Sequence, residues 1–227
     1  HQPVRTLREQ VKDLLVSLGL QETISHTLVS KHNLQSVNAD TESLIRTENP
    51  MSREQEFLRV SLLPELIRST SEALKHPPNS VAFFETGRSF KKKANDLPDE
   101  NEMAVGVLAG ARTHSFWDGA KGVYDFFDAK GITEAVFESL GISVIYNPSK
   151  NKLVKQGHSA DIYIGEEYVG FAGEIDPLII SKFNLSNNTA VVIFELNLSL
   201  ISPHVPQQKS FFIPFSRYPA AIRDLAL

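Results

Sequence analysis

A chain of 227 residues with 41% apolar and 22% charged residues sits near the averages of folded domains, which leaves one large core or two closely packed ones open and excludes extensive disorder. Its net charge of −4 argues against a broad phosphate-gripping surface, because nonspecific nucleic-acid affinity is built from many Lys and Arg contacts. The absence of cysteine excludes disulfides, thiolate metal ligands and cysteine nucleophiles.

Val4, Leu7, Val11, Leu14, Leu15 and Leu18 recur at spacings of three and four and predict an amphipathic helix of about four turns, stopped by Gly19. Thr23, Ile24, Thr27 and Val29 suggest an extended segment from Gln21 to Ser30, followed by a polar connection through Asn38-Ala39-Asp40. Pro64 suits the first turn of a second helix that Leu66, Ile67, Ala73 and Leu74 carry to about Lys75, before His76-Pro77-Pro78-Asn79 ends it. Two strands, Val81 to Phe90 and Met103 to Ala109, then read as a long hairpin across the polar stretch 91–101.

A third helix is expected from about Val123 to Leu140, with Phe126, Phe127, Ala135, Val136 and Leu140 inward. Strands Ala160–Ile164 and Tyr168–Ala172 flank the turn Gly165-Glu166-Glu167 and should run antiparallel. Asp176-Pro177 has the form of an N-cap and first turn for a short helix to Phe183. Ala190–Leu196 is a further strand and 203–209 a loop or linker. Without strict βαβ alternation, the pattern favours an α+β fold, an antiparallel sheet with helices on one side.

No run approaches the roughly 18 apolar residues of a membrane helix, and no secretory leader is visible, so a cytoplasmic location and no membrane partner are expected. The start at His1 and the strand-like Arg223-Asp224-Leu225-Ala226-Leu227 end read as an excised piece of a longer chain.

Several short motifs follow one another in a specific order: Asn49-Pro50-Met51-Ser52, Leu58-Arg59-Val60-Ser61-Leu62-Leu63-Pro64, and Phe84-Glu85-Thr86-Gly87-Arg88-Ser89-Phe90. Phe126-Phe127-Asp128-Ala129-Lys130-Gly131, Gly170 to Pro177, and Phe215-Ser216-Arg217-Tyr218-Pro219 with Arg223-Asp224-Leu225-Ala226 continue the series. Together they resemble bacterial phenylalanyl-tRNA synthetase β subunits from about residue 20 to the end. The chain departs from that pattern at Asp176, where the family usually has His, and at Gln156-Gly157-His158-Ser159-Ala160.

The resemblance implies a class II synthetase-like antiparallel sheet flanked by helices, without a working active site. It implies a catalytic-like core over 1–209 and the start of an anticodon-binding domain over 210–227. It also implies an α-subunit partner that carries the chemistry, with ATP, magnesium and tRNA(Phe) acting through the complete enzyme. No cofactor and no metal are expected here. Class II enzymes grip the ATP α-phosphate with a strand arginine, orient the adenine with an acid and add a second arginine after a Gly-rich strand. Here Arg59, Arg88 and Lys91 stand at degenerate versions of such positions, and lysine lacks the planar fork for bidentate contact. The return strand Met103 to Gly110 carries no inward acid, so the electrostatic positioning on which that chemistry depends is expected to be missing.

Other residues admit two readings. Lys91-Lys92-Lys93 is read as a solvated loop beside Asp96, Asp99 and Glu100, against a nucleic-acid contact. Glu85 and Glu195 are read as separate structural or exposed acids, against a carboxylate dyad. Gly106 and Gly110 are read as a tightly packed strand, against a phosphate loop. Phe116 and Trp117 face either the core or a partner. By analogy with the long helix of class II dimers, Leu7, Val11, Leu14 and Leu18 are expected to contribute to the α-subunit interface, against a stripe wholly committed to the chain's own core. The functional alternatives are a tRNA-contacting module, or a ligase using Arg59, Arg88 and Lys91.

Overall fold

Apolar residues alternate in two sets along the central strands, and each set is buried against helices. This is the pattern in a computed structural model that describes residues 2–37, 44–77, 79–93, 96–112, 122–185 and 189–206. A sheet of seven strands forms the middle layer: β1 (Gln21–Glu22), β4 (Ser80–Lys91), β5 (Asp99–Gly110), β9 (Val191–Asn197), β8 (Glu167–Ile175), β7 (Val154–Ile164) and β6 (Ile145–Pro148), in that spatial order. Every neighbouring pair is antiparallel except β1 with β4, which is parallel. A separate ribbon pairs β2 (Leu28–Val29) with β3 (Phe57–Leu58).

Along β5 and β9, Ala104, Leu108, Val192, Phe194 and Leu196 join one core with Leu7, Val11 and Leu15 of α1 (Gln2–Ser17) and Val136 and Phe137 of α4 (Phe126–Leu140). The alternate residues Met103, Val105, Val107, Ala109, Val191 and Ile193 join a second core with Leu63, Leu66 and Ile67 of α3 (Leu63–Ala73) and with α5 (Pro177–Ile180). Helices therefore cover both faces, not the one face expected. A strand buried on both faces reads as a near-continuous apolar run, and that is how 103–110 is written. Gly106 is the gap in that run. A Cβ there would overlap the Phe194 ring, which lies across the strand, so the close-packing reading of Gly106 holds.

The local signals are realised. Gly19 turns the chain after α1 with φ +90, Pro64 sits in the first turn of α3, and Asp176 accepts from the Leu178 amide at 2.8 Å to cap α5. The 80s hairpin forms with strands longer than predicted, pairing Ser80 with Gly110 through to Lys91 with Asp99. Three expectations need correcting. The third helix starts at Phe126, behind a capping box of Asp125 and Asp128, because that box satisfies the free amides one turn later than the apolar pattern suggests. Phe127 is 73% exposed and Phe137 takes the inward place. Part of the expected 203–209 loop continues a helical stretch, α6 (Leu198–Ile201) and a 3-10 turn at Ser202–His204. The segment 38–40, Phe116, Trp117 and the boundary at 210 lie outside the described residues.

Candidate functional site

Strand alternation places residues 81, 83, 85, 87 and 89 of β4 on the α3 face and Ala82, Phe84 and Arg88 on the α1 face. The register then runs Glu85, Val105, Glu195, Phe171, Asp161 straight across β4, β5, β9, β8 and β7. Directly paired residues share a face, so these carboxylates form one transverse row separated by Val105 and Phe171, with about 10 Å between alternate strands. Each carboxylate receives a serine hydroxyl from a neighbouring segment: Ser25 to Glu85 at 2.7 Å, Ser61 to Glu195 at 2.7 Å and Ser149 to Asp161 at 2.5 Å.

Among the described residues, the Glu85 end of the row is the one with a cation on it. Arg59 Nη1 donates to Glu85 Oε1 at 2.6 Å, and the two side chains are 6% and 2% exposed. Arg59 Nη1 also donates to Ser25 Oγ at 3.0 Å and its Nε to the Arg88 carbonyl at 2.9 Å. The guanidinium lies over Gly87, where any Cβ would collide with Nη2. At Glu195, crowding by protein pushes the carboxyl above the ordinary carboxylate range, and the Ser61 hydrogen bond opposes that rise. Tyr168 is pushed well up by burial first, then by the negative potential of Glu195 and Asp161, and its ring packs edge-on against Tyr163 at 5.7 Å.

The residues predicted for phosphate contact do not converge. Arg59 is buried on the α3 face. Arg88 projects from the α1 face, where it bonds Glu102 at 2.9 Å and Glu100 at 3.0 Å, and Arg8 of α1 reaches the same Glu102 at 3.4 Å. Hydrogen bonding to Glu102 holds the Arg88 guanidinium pKa above its usual value. These groups line a cleft of about 520 Å³ with Val4, Arg5 and Ser199, in which Glu100 and Glu102 are already bonded to Arg88 and Arg8. Lys91 is exposed at the end of β4, and nearby Lys93 pairs with Asp99, in keeping with a solvated mixed-charge loop. Among the described residues no three His, Asp or Glu side chains are placed to share a metal ion.

The residues predicted for a partner interface divide. Leu7 is 3% exposed and Val11 0%, both inside the chain's own core with Leu15 and Phe84, so neither is open to a partner. Leu14 is half-buried at the edge of the stripe, and Leu18, past the last helical turn, is 41% exposed. The serine partners of the row were not foreseen. The available signal was the repeated Phe-Glu pair, Phe84-Glu85 and Phe194-Glu195, which puts each phenylalanine on one face and each carboxylate on the other once the strands align.

The family described as "Phenylalanyl tRNA synthetase beta chain CLM domain" matches residues 1–198. A phenylalanine–tRNA ligase β subunit of Dehalococcoides mccartyi is 34% identical over 99% of this chain and 28% of its own length, and one of Bacillus thuringiensis is 32% identical over 98% and 28%. The chain thus spans somewhat over a quarter of these relatives. Among solved structures, the pyrrolysyl-tRNA synthetase of Desulfitobacterium hafniense superposes with TM-scores of 0.66 and 0.69 at 15% and 14% identity, over 88% of this chain and 68% and 69% of those chains. At that identity the likeness carries the fold, that of a class II tRNA synthetase.

Proposed function

Because the chain belongs to the family of the phenylalanyl-tRNA synthetase β-chain CLM domain, we propose that it is the non-catalytic, synthetase-like core of a phenylalanine–tRNA ligase β subunit. In this reading it serves assembly with the α subunit, which attaches phenylalanine to tRNA(Phe) with ATP and magnesium in the cytoplasm. The observation that carries the reading is the division of the two arginines. Arg59 and Arg88 lie on opposite faces of one sheet and each is committed to protein carboxylates, while Leu62, Leu63, Leu66 and Ile67 fill the face above Val105 and Ile193. This arrangement supports a chain that does not itself hold ATP, and no chemical step is assigned to its residues. With Leu7 and Val11 turned inward, the part of α1 left for a partner is its C-terminal end, where Val16 is 56% and Leu18 41% exposed.

Coexpression with a candidate α subunit, read by size exclusion and by pyrophosphate exchange, tests this. The chain should coelute with the α subunit, Leu18→Asp should weaken that association while leaving the thermal melt unchanged, and the chain alone should not exchange pyrophosphate. Exchange by the chain alone, free of host synthetase, would overturn the reading. So would tight tRNA binding that persists at physiological salt without any association with the α subunit, which is the behaviour of an RNA-binding module.

A further inference from the structure

Residues 25–37 and 44–60 carry a small core of their own, in which Val29, Leu34 and Leu44 pack with Phe57 and Val60. The β2–β3 ribbon and α2 (Lys31–Ser36) surround it. Such a lobe buries little apolar surface compared with the two cores of the main sheet, so its local stability must lean on whatever ties it down. Asn33 of α2 bonds Glu65 of α3, Lys182 Nζ reaches the Ser36 carbonyl at 3.4 Å, Val37 joins the α3-side core and Ser25 bonds Glu85, and the densest set of ties gathers on one further residue. On the lobe side, the Arg59 amide donates to the Thr27 carbonyl at 3.0 Å and its side chain bonds Ser25 at 3.0 Å. On the sheet side, the guanidinium bonds Glu85 and the Arg88 carbonyl, and the Phe90 amide donates to the Arg59 carbonyl at 2.9 Å. Two residues on, Ser61 adds its bond to Glu195.

We propose that Arg59 is the latch that docks the lobe of residues 25–37 and 44–60 on the sheet, so that losing the latch releases the lobe locally while the sheet stays folded. The position that sequence reasoning offered as a vestigial phosphate contact becomes a positioning residue. Its guanidinium is suited to the task because its fork can meet a carboxylate, a hydroxyl and a carbonyl at once, which a lysine ammonium on a flexible stem cannot do in the same plane. The strand below accommodates it by having glycine at 87.

Hydrogen exchange read by mass spectrometry on the complete chain tests the proposal with three variants. In Arg59→Met, amides in 25–37 and 44–60 should exchange about tenfold faster or more, beyond the acceleration of β5 and β9 that the stranded Glu85 charge itself produces. Arg59→Lys should show the same pattern at smaller amplitude. In Arg59→Met with Glu85→Leu, which removes the bare buried charge without restoring the lost ties, β5 and β9 should regain near wild-type protection while the lobe remains fast. Acceleration in the double variant spread evenly over the lobe, β5 and β9 would overturn the proposal. So would wild-type lobe protection in the double variant, because the single variant's defect would then be an unpaired Glu85 and not a missing latch. Should Arg59→Met fail to fold, the lysine and double variants decide by the same criteria.

Discussion

Glu85 and Glu195 begin from the same local sequence, a carboxylate directly after a phenylalanine in a strand, and they occupy the same transverse row of one sheet. Their surroundings differ. Glu85 has a serine and a buried guanidinium at 2.6 Å, whereas Glu195 has, among the described residues, a serine and no cation, and its carboxyl is pushed above the ordinary range by desolvation. Two solutions to one problem are therefore visible side by side. A carboxyl in low dielectric is kept either by supplying the opposite charge or by favouring the protonated form.

The largest test of that contrast is Arg59→Met. Removing one partner of a buried pair strands the other charge, so a loss of about 3–5 kcal/mol is expected in urea denaturation. The double variant with Glu85→Leu should recover most of the global loss, since a buried pair replaced by apolar groups is often neutral. A double variant as unstable as the single one would break the comparison. Gly87→Ala should cost about 1–3 kcal/mol, because its Cβ would enter the space of the guanidinium. Most of that cost should vanish in the Arg59→Met background, and a cost that persists there would place its origin in the backbone.

The smallest effect is expected at Glu195. Its folded-state pKa is raised, so its contribution to stability is fully present below the unfolded carboxylate pKa and is lost as pH rises through the folded pKa. Glu195→Gln abolishes that titration. The variant should therefore gain on the wild type as pH rises from about 4.5. Urea midpoints measured across that range would show a gap opening upward. A gap that widens toward acid would mean that Glu195 is held as a charged group.

Much of the fold was legible because its signals are local. The 3.6-residue stripe of α1, the proline at the head of α3 and the Asp176 cap each act within one or two turns. The 103–110 strand was legible too, but the presence of helices on both faces was not, because a continuous apolar run fits both a one-sided and a two-sided strand. β6 at Ile145–Pro148 escaped notice: it is a short edge strand with exposed and half-buried residues, and it lacks the alternation that marks a strand from sequence.

The sequence by itself determined the family resemblance, the order of the elements and the parity of the strands, since these depend on residue identity and near-neighbour spacing. Tertiary structure alone decided the parallel placement of β1, the inward turn of Leu7 and Val11, and the division of Arg59 and Arg88 between two faces. It also decided which of two matching Phe-Glu pairs receives an arginine. Register across strands some 90 residues apart in sequence is set by how two cores close together. A side chain's partner is then whichever crossing segment that closure brings overhead, and no local spacing records it.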